Sequence, residues 1–261
     1  MAAVDMLKKG DDAYRQKNYG GALSYYTKAV EENPEEARAY SGLGKVYYRK
    51  KDLEKAVKNL KKAISLGLKD ASTYYALGMA LEDSGQLEEA LDFYVKTAEL
   101  KPDFWQAHYS KGMLFLELDC YVDAILAFTE VLKIKPDYTE AQLQRGNAMI
   151  LNKVFKDAVE DFRSVLKKTT KDARAYNGLG LALENLGAPE EALENYKKAF
   201  ELDPENLNLK KRIDDLNREI RKKEGTLTQG TGKGVSMDEK RVEVEKELEK
   251  RLTELDRRSR W

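Results

Sequence analysis

One cysteine and one histidine in 261 residues leave several chemistries without material. Cys120 alone excludes an internal disulfide and fits a reducing compartment. His108 alone provides no imidazole cluster for a metal and no basis for a shared-histidine nucleophile scheme. Charge of neither sign is in excess, with 46 Lys and Arg against 46 Asp and Glu, which argues against nucleic acid as a ligand. No apolar run reaches membrane-spanning length, and the first residues lack the uninterrupted apolar stretch of a secretory signal. The expectation is a cytoplasmic protein without membrane insertion, cofactor or intrinsic enzymatic activity.

What is present is a repeat. Segments beginning at Ala3, Ala37, Ala71, Trp105, Thr139 and Ala173 align at a spacing of 34 residues. Their eighth residue is Gly10, Gly44, Gly78, Gly112, Gly146 or Gly180. Their twentieth is Ala22, Ala56, Ala90, Ala124, Ala158 or Ala192. The twenty-fourth is Tyr26, Leu60, Tyr94, Phe128, Phe162 or Tyr196. A fixed period means stacked units, none of which buries its apolar face alone. In the last copy Tyr176, Leu179, Gly180 and Leu183 mark a first helix, and Asn185-Leu186-Gly187 break it. Pro189 then opens a second helix with Ala192, Tyr196, Ala199 and Phe200 on one stripe. The small residues sit where two helices cross closely, and the aromatic fills the space beyond.

These motifs resemble the tetratricopeptide repeat (TPR) family, as in Tyr40-x-x-Leu43-Gly44-x-x-Tyr47 followed by Ala56, Leu60 and Ala63. The resemblance covers residues 3–206 as six repeats (3–36, 37–70, 71–104, 105–138, 139–172 and 173–206). It implies an all-α, right-handed solenoid of six antiparallel helix pairs. Lys9, Lys111 and Arg145 replace the usual Leu before the glycine. Leu68 and Thr170 replace the closing proline, so repeats two and five are expected to end in looser turns.

Residues 205–224 read as a cap helix with Leu209, Ile213, Leu216 and Ile220 on one stripe and charge elsewhere. A flexible linker is expected over 225–235 by composition. Ser236-x-x-Glu239 forms a capping box that opens a charged amphipathic tail helix over 236–259, striped by Val244, Leu248, Leu252 and Leu255. That tail is either a solvated helix or one that docks on a partner, on another copy, or in this protein's own groove. The glycines around Lys233 do not make a phosphate loop, because Thr231 stands where its lysine must be and no strand precedes it.

No catalytic constellation emerges. His108 replaces the tyrosine of other copies and reads as packing, and Cys120 falls in a turn with no activator beside it. In the family resembled, the first helix of each pair lines a concave surface through its second, fifth, ninth, twelfth and thirteenth residues. Here those positions give a basic end of Arg38, Lys45, Tyr48 and Arg49. They give a Tyr/Met/Leu centre of Tyr75, Met79, Tyr109, Met113 and Leu116, then Leu143 and Asn147. The clamp that co-chaperones of this family use for a C-terminal carboxylate is absent, its positions holding Leu7, Asp11, Gly42, Ser72 and Ala76. The implied function is a non-enzymatic scaffold that binds a protein or peptide ligand in the groove. The alternatives are a self-assembling scaffold, through the tail helix or end to end, and a regulatory subunit or adaptor whose tail occupies the groove. Tyr75, Met79, Tyr109 and Met113 are expected to form an exposed patch, so that Tyr109→Ala with Met113→Ala weakens binding and leaves melting nearly unchanged.

Overall fold

The computed structural model describes residues 2–229, and the side chains of residues 3–223. The chain divides into two compact units, Met1–Leu209 and Lys210–Trp261. Helices are the only regular structure among the described residues. Twelve belong to the first unit: α1 (Ala2–Arg15), α2 (Tyr19–Glu32), α3 (Ala37–Arg49), α4 (Leu53–Ser65), α5 (Ala71–Glu82) and α6 (Leu87–Leu100). The series continues with α7 (Trp105–Glu117), α8 (Tyr121–Ile134), α9 (Thr139–Leu151), α10 (Phe155–Lys168), α11 (Ala173–Asn185) and α12 (Pro189–Leu202).

From α3 onward every odd-numbered helix begins on the first residue of a 34-residue segment, and every even-numbered helix begins on a seventeenth. Local chemistry fixes several of these starts. The side chains of Asp52, Asp70 and Asp172 accept hydrogen bonds from the free N–H groups of α4, α5 and α11, and Pro189 sits in the first turn of α12. Between the two helices of each pair the fifteenth residue is left-handed: Lys17, Lys51, Gly85, Asp119, Lys153 and Gly187, with φ between 57° and 80°. Each such turn closes with the same pair of bonds, as in Asp52 N–H to Tyr47 O and Lys51 N–H to Tyr48 O. That is a Schellman cap, which satisfies the last carbonyls of the first helix and reverses the chain.

The core runs the length of the unit along the helix-pair crossings. The twentieth-position alanines are all fully buried, as are Leu60, Tyr94, Phe128 and Phe162 at position twenty-four. A Cβ on Gly78 would lie 2.6 Å from the Tyr94 ring, and one on Gly112 would lie 2.8 Å from the Phe128 ring. Only glycine lets these helices approach while the ring stays between them. Gly42 adds a contact absent from the alignment, because a Cβ there would meet the Tyr26 ring of the preceding repeat at 2.5 Å. Helices α1 and α3, α3 and α5, α7 and α9, and α9 and α11 also approach one another, whereas no two even-numbered helices among the described residues come as near. The odd-numbered helices therefore form the inner face of the solenoid.

Repeat two does not end loosely. Gly67 takes φ 90°, and the Leu68 and Gly67 N–H groups bond Ala63 and Ile64 carbonyls, so a hydrogen-bonded cap replaces the missing proline.

Helix α13 (Leu207–Gln229) crosses the boundary at Leu209. Leu209 and Leu216 are buried along it, and Ile213 and Ile220 are half-buried. The linker expected from residue 225 starts later than its composition implied, since the helix continues through Gln229. One glycine costs a helix only about 1 kcal/mol, and no proline follows to stop it. The remainder of that linker and the tail helix expected over 236–259 lie outside the described residues.

Candidate functional site

Among the described residues, one cavity opens near each end of the inner face, with a packed aromatic stretch between them. The first, about 450 Å³, lies across repeats one to three. Arg15, Arg38 and Lys45 line it together with Asp11 and Asp70. The basic end expected from the sequence is thus a cup of mixed charge. Arg38 reaches Asp11 at 3.5 Å, and Lys45 Nζ donates to Ser72 Oγ at 2.8 Å with Asp70 at 3.9 Å. The Arg38–Asp11 and Lys45–Ser72 contacts cross seams between repeats. Burial pushes the Lys45 ammonium below its usual range. Burial also raises the Asp70 carboxyl, but hydrogen bonds from Ser72 and Thr73 and the charge of Lys45 outweigh it, and the net shift is downward.

Tyr48 and Arg49 lie outside that cup. Arg49 is exposed, with its Nε 3.4 Å from the Tyr14 hydroxyl. The Tyr48 hydroxyl is pushed up to about 12 by burial and by the carboxylate of Asp83. Ser41, the fifth residue of its repeat, is buried and shares a 2.8 Å hydrogen bond with Thr73.

The central residues are half-buried rather than displayed. The Tyr75 ring packs on Tyr94 and Phe104 at centroid distances of 5.5 and 5.0 Å, and its hydroxyl meets Ser110 at 3.3 Å. Met79 packs beside it on the same core. Tyr109 lies 5.6 Å from Phe128 and 5.7 Å from Tyr138. Burial, then Glu140, pushes its hydroxyl up to about 12. Met113 and Leu116 flank the same cluster. Tyr109→Ala would remove two edge-to-face contacts worth about 0.5–1.5 kcal/mol each beyond the buried area. With this packing, Tyr109→Ala together with Met113→Ala is expected to lower the melting temperature as well as any binding, contrary to the expectation for an exposed patch.

The second cavity, about 410 Å³, lies between repeats five and six. Asn147, Ile150 and Leu151 of α9 face Arg174, Asn177 and Leu181 of α11 across it. Leu143 forms its floor but is only 1% exposed, so it is a core residue and not the surface contact expected. Its fifth position points into the seam with the following repeat, as it does in Leu7 and Ser41, both 4% exposed. Asn177, at the same position of repeat six, is exposed. The Arg174 guanidinium is already engaged: it donates to both Glu140 oxygens at 3.1 Å and to Asp172. Asn147 donates to Gln144 at a long 3.4 Å, so its amide is only weakly committed. Leu151 remains 50% exposed. Asp203 and Asn206 complete the rim. The sequence reading missed both, because they follow α12 and belong to no first helix.

Of the expected residues, the structure brings Arg38 and Lys45 together in one cavity and Leu143 and Asn147 in the other. Tyr75, Met79, Tyr109, Met113 and Leu116 line neither. His108 is buried, with Nε2 3.0 Å from the Pro102 carbonyl, and Cys120 is exposed at the start of α8. Among the described residues no group of three His, Cys, Asp or Glu is placed to hold a metal ion, and no helix is long and apolar enough to cross a membrane.

Models of the tetratricopeptide repeat match residues 7–72, 75–139 and 173–206. Among solved structures, the chain is similar to YrrB, described as a TPR protein with an unusual peptide-binding site. The identity is 24% over 70% of this chain and 95% of that one, with a TM-score of 0.67. It is also similar to pilF of Pseudomonas aeruginosa (17% identity, 84% and 97% covered, TM-score 0.63). MamA from Desulfovibrio magneticus RS-1 is another such structure (22% identity, 65% and 96% covered, TM-score 0.60). At these identities the likeness is one of fold. No curated protein matches the sequence.

Proposed function

Because the chain belongs to the tetratricopeptide repeat family, we propose that it is a non-enzymatic scaffold that binds a peptide or helix of a partner protein on its inner face. Association with other proteins is the general role this fold supports, and its members are generally not catalysts. The observation that carries the finer reading is the cavity between repeats five and six. Weakly committed side-chain amides (Asn147 and Asn177) stand there beside half-exposed aliphatic residues (Ile150, Leu151 and Leu181). Amides offer a donor and an acceptor to a main chain of any sequence, and the aliphatic wall takes an apolar side chain. A similar structure being described as having a peptide-binding site supports the same reading.

The mixed-charge cup formed by Arg38, Lys45, Asp11 and Asp70 favours a segment carrying both signs of charge over a purely acidic one. A cytoplasmic location and a protein ligand rather than nucleic acid belong to this proposal, supported by one free cysteine and balanced charge. The test begins with short peptides selected from a displayed random library on the full chain. A selected peptide should lose about tenfold or more in affinity to Asn147→Ala/Asn177→Ala, since two lost hydrogen bonds total about 1–3 kcal/mol. Equal affinity for wild type and variant rejects this cavity as the site.

A further inference from the structure

The outer face of repeat four differs from that of the other five. The second and sixth residues of the even-numbered helices are Gly20 and Ser24, Glu54 and Lys58, Glu88 and Asp92, Lys156 and Glu160, and Glu190 and Glu194. In α8 they are Val122 and Leu126, exposed by 56% and 58%. Five repeats build the same helix pair without an apolar residue at either place, so packing does not require these two. One turn apart on one face, they form an apolar strip aimed at solvent.

The helices on either side carry opposite charge. The exposed charged residues of α6 are Glu88, Asp92, Lys96 and Glu99, three acids to one base. Those of α10 are Lys156, Asp157, Glu160, Arg163, Lys167 and Lys168, four bases to two acids. A strip with acid on one flank and base on the other is complementary to itself. We propose that it is the contact through which a second copy of this chain binds, about a two-fold axis that runs along α8.

Such an axis sets Val122 against Val122 of the second copy and Leu126 against its Leu126. It lays α6 of each copy over α10 of the other. Counted from the helix starts, Glu88 then faces Lys156 and Glu99 faces Lys167. Two levels are like-charged: Asp92 with Glu160, which lies within a turn of Arg163, and Glu89 with Asp157, where Glu89 is already paired with Lys61 at 2.7 Å. Lys133, on the same outer line of α8, is already paired with Glu130 at 2.7 Å, so its approach to its own copy is not opposed by a bare charge. A two-fold axis across the helices instead would stack α6 on α6 and α10 on α10, like charge on like. An apolar centre that supplies the attraction, with flanking charges that select the axis, is how small protein contacts combine affinity and register. The contact is a ridge on an outward-curving face, so the dimer is a weak one that forms as concentration rises.

Sedimentation velocity of the full chain over a wide concentration range reads the equilibrium directly. Wild type should pass from monomer to dimer, and Leu126→Glu should weaken the dimer by at least about tenfold with an unchanged circular dichroism spectrum. Glu88→Lys and Lys156→Glu should each weaken it, and the two together in one chain should restore it, because the axis pairs these positions between copies. With Cys120→Ser and Lys133→Cys, a short bis-maleimide should join two chains, and a cysteine at Lys58 instead should not. A chain that stays monomeric throughout overturns the proposal. So does a dimer that Leu126→Glu leaves intact, which would place self-association elsewhere.

Discussion

Arg145 and Asp161 form an ion pair that the other repeats do without. Arg145 Nε and Nη2 donate to the two Asp161 oxygens at 2.8 and 2.7 Å, and Nη1 reaches Thr129 of the preceding repeat at 3.2 Å. The Asp161 side chain is only 7% exposed and that of Arg145 21%. Arg145→Leu leaves a carboxylate desolvated and unpaired, a loss of about 3–5 kcal/mol. For a chain of this length that lowers the melting temperature by about 6–20 °C. The corresponding pairs in repeats two and six are Leu43 with Asn59 and Leu179 with Asn195. Arg145→Leu with Asp161→Asn therefore installs a combination the fold already uses, and should melt within about 1 kcal/mol of wild type. Calorimetry of both variants gives the answer. A single variant as stable as the double one would show that Asp161 is not held by Arg145, and the reasoning would fail.

Three further perturbations follow from the same geometry. Lys51→Gly and Lys153→Gly, at left-handed turn residues, should each raise stability by about 0.5–1 kcal/mol by relieving the Cβ clash, measured by denaturant titration. Gly78→Ala should lower it by about 1–3 kcal/mol, because the new Cβ meets the fully buried Tyr94 ring at 2.6 Å and that ring has no room to move. Asp70 has a folded carboxyl below its unfolded value, so its contribution is present above the usual carboxylate range and lost as pH falls through the folded value. Asp70→Asn should therefore lower stability at neutral pH and flatten the fall in stability below about pH 4, followed by thermal melts against pH.

Several helix boundaries were legible because their starts carry a local signal. Asp52, Asp70 and Asp172 cap, Pro189 opens a first turn, and the positions of Gly44, Ala56 and Leu60 recur in register. The left-handed turns were not legible at Lys17, Lys51, Asp119 and Lys153, whose side chains disfavour that conformation. Helix packing on both sides of the turn imposes it. Surface charge misled in a particular way. Arg38 and Lys45 stand out in sequence as a basic end, but their partners Asp11 and Asp70 are 27 and 25 residues away and meet them only in the folded chain. Arg145 was visible as a departure from leucine, yet its reason sits on the partner helix at Asp161. Leu143 was assigned to the groove by position, and the seam between repeats takes it instead.

The claim that matters most is that ligand binds the inner face. A photo-reactive side chain placed at Leu151, on the rim of the cavity between repeats five and six, tests it with any peptide selected on the full chain. A second version carries the same group at Lys58 on the outer side of α4. The account predicts that irradiation joins the peptide to the first protein and not to the second. Equal capture at both positions, or capture only at Lys58, would contradict it.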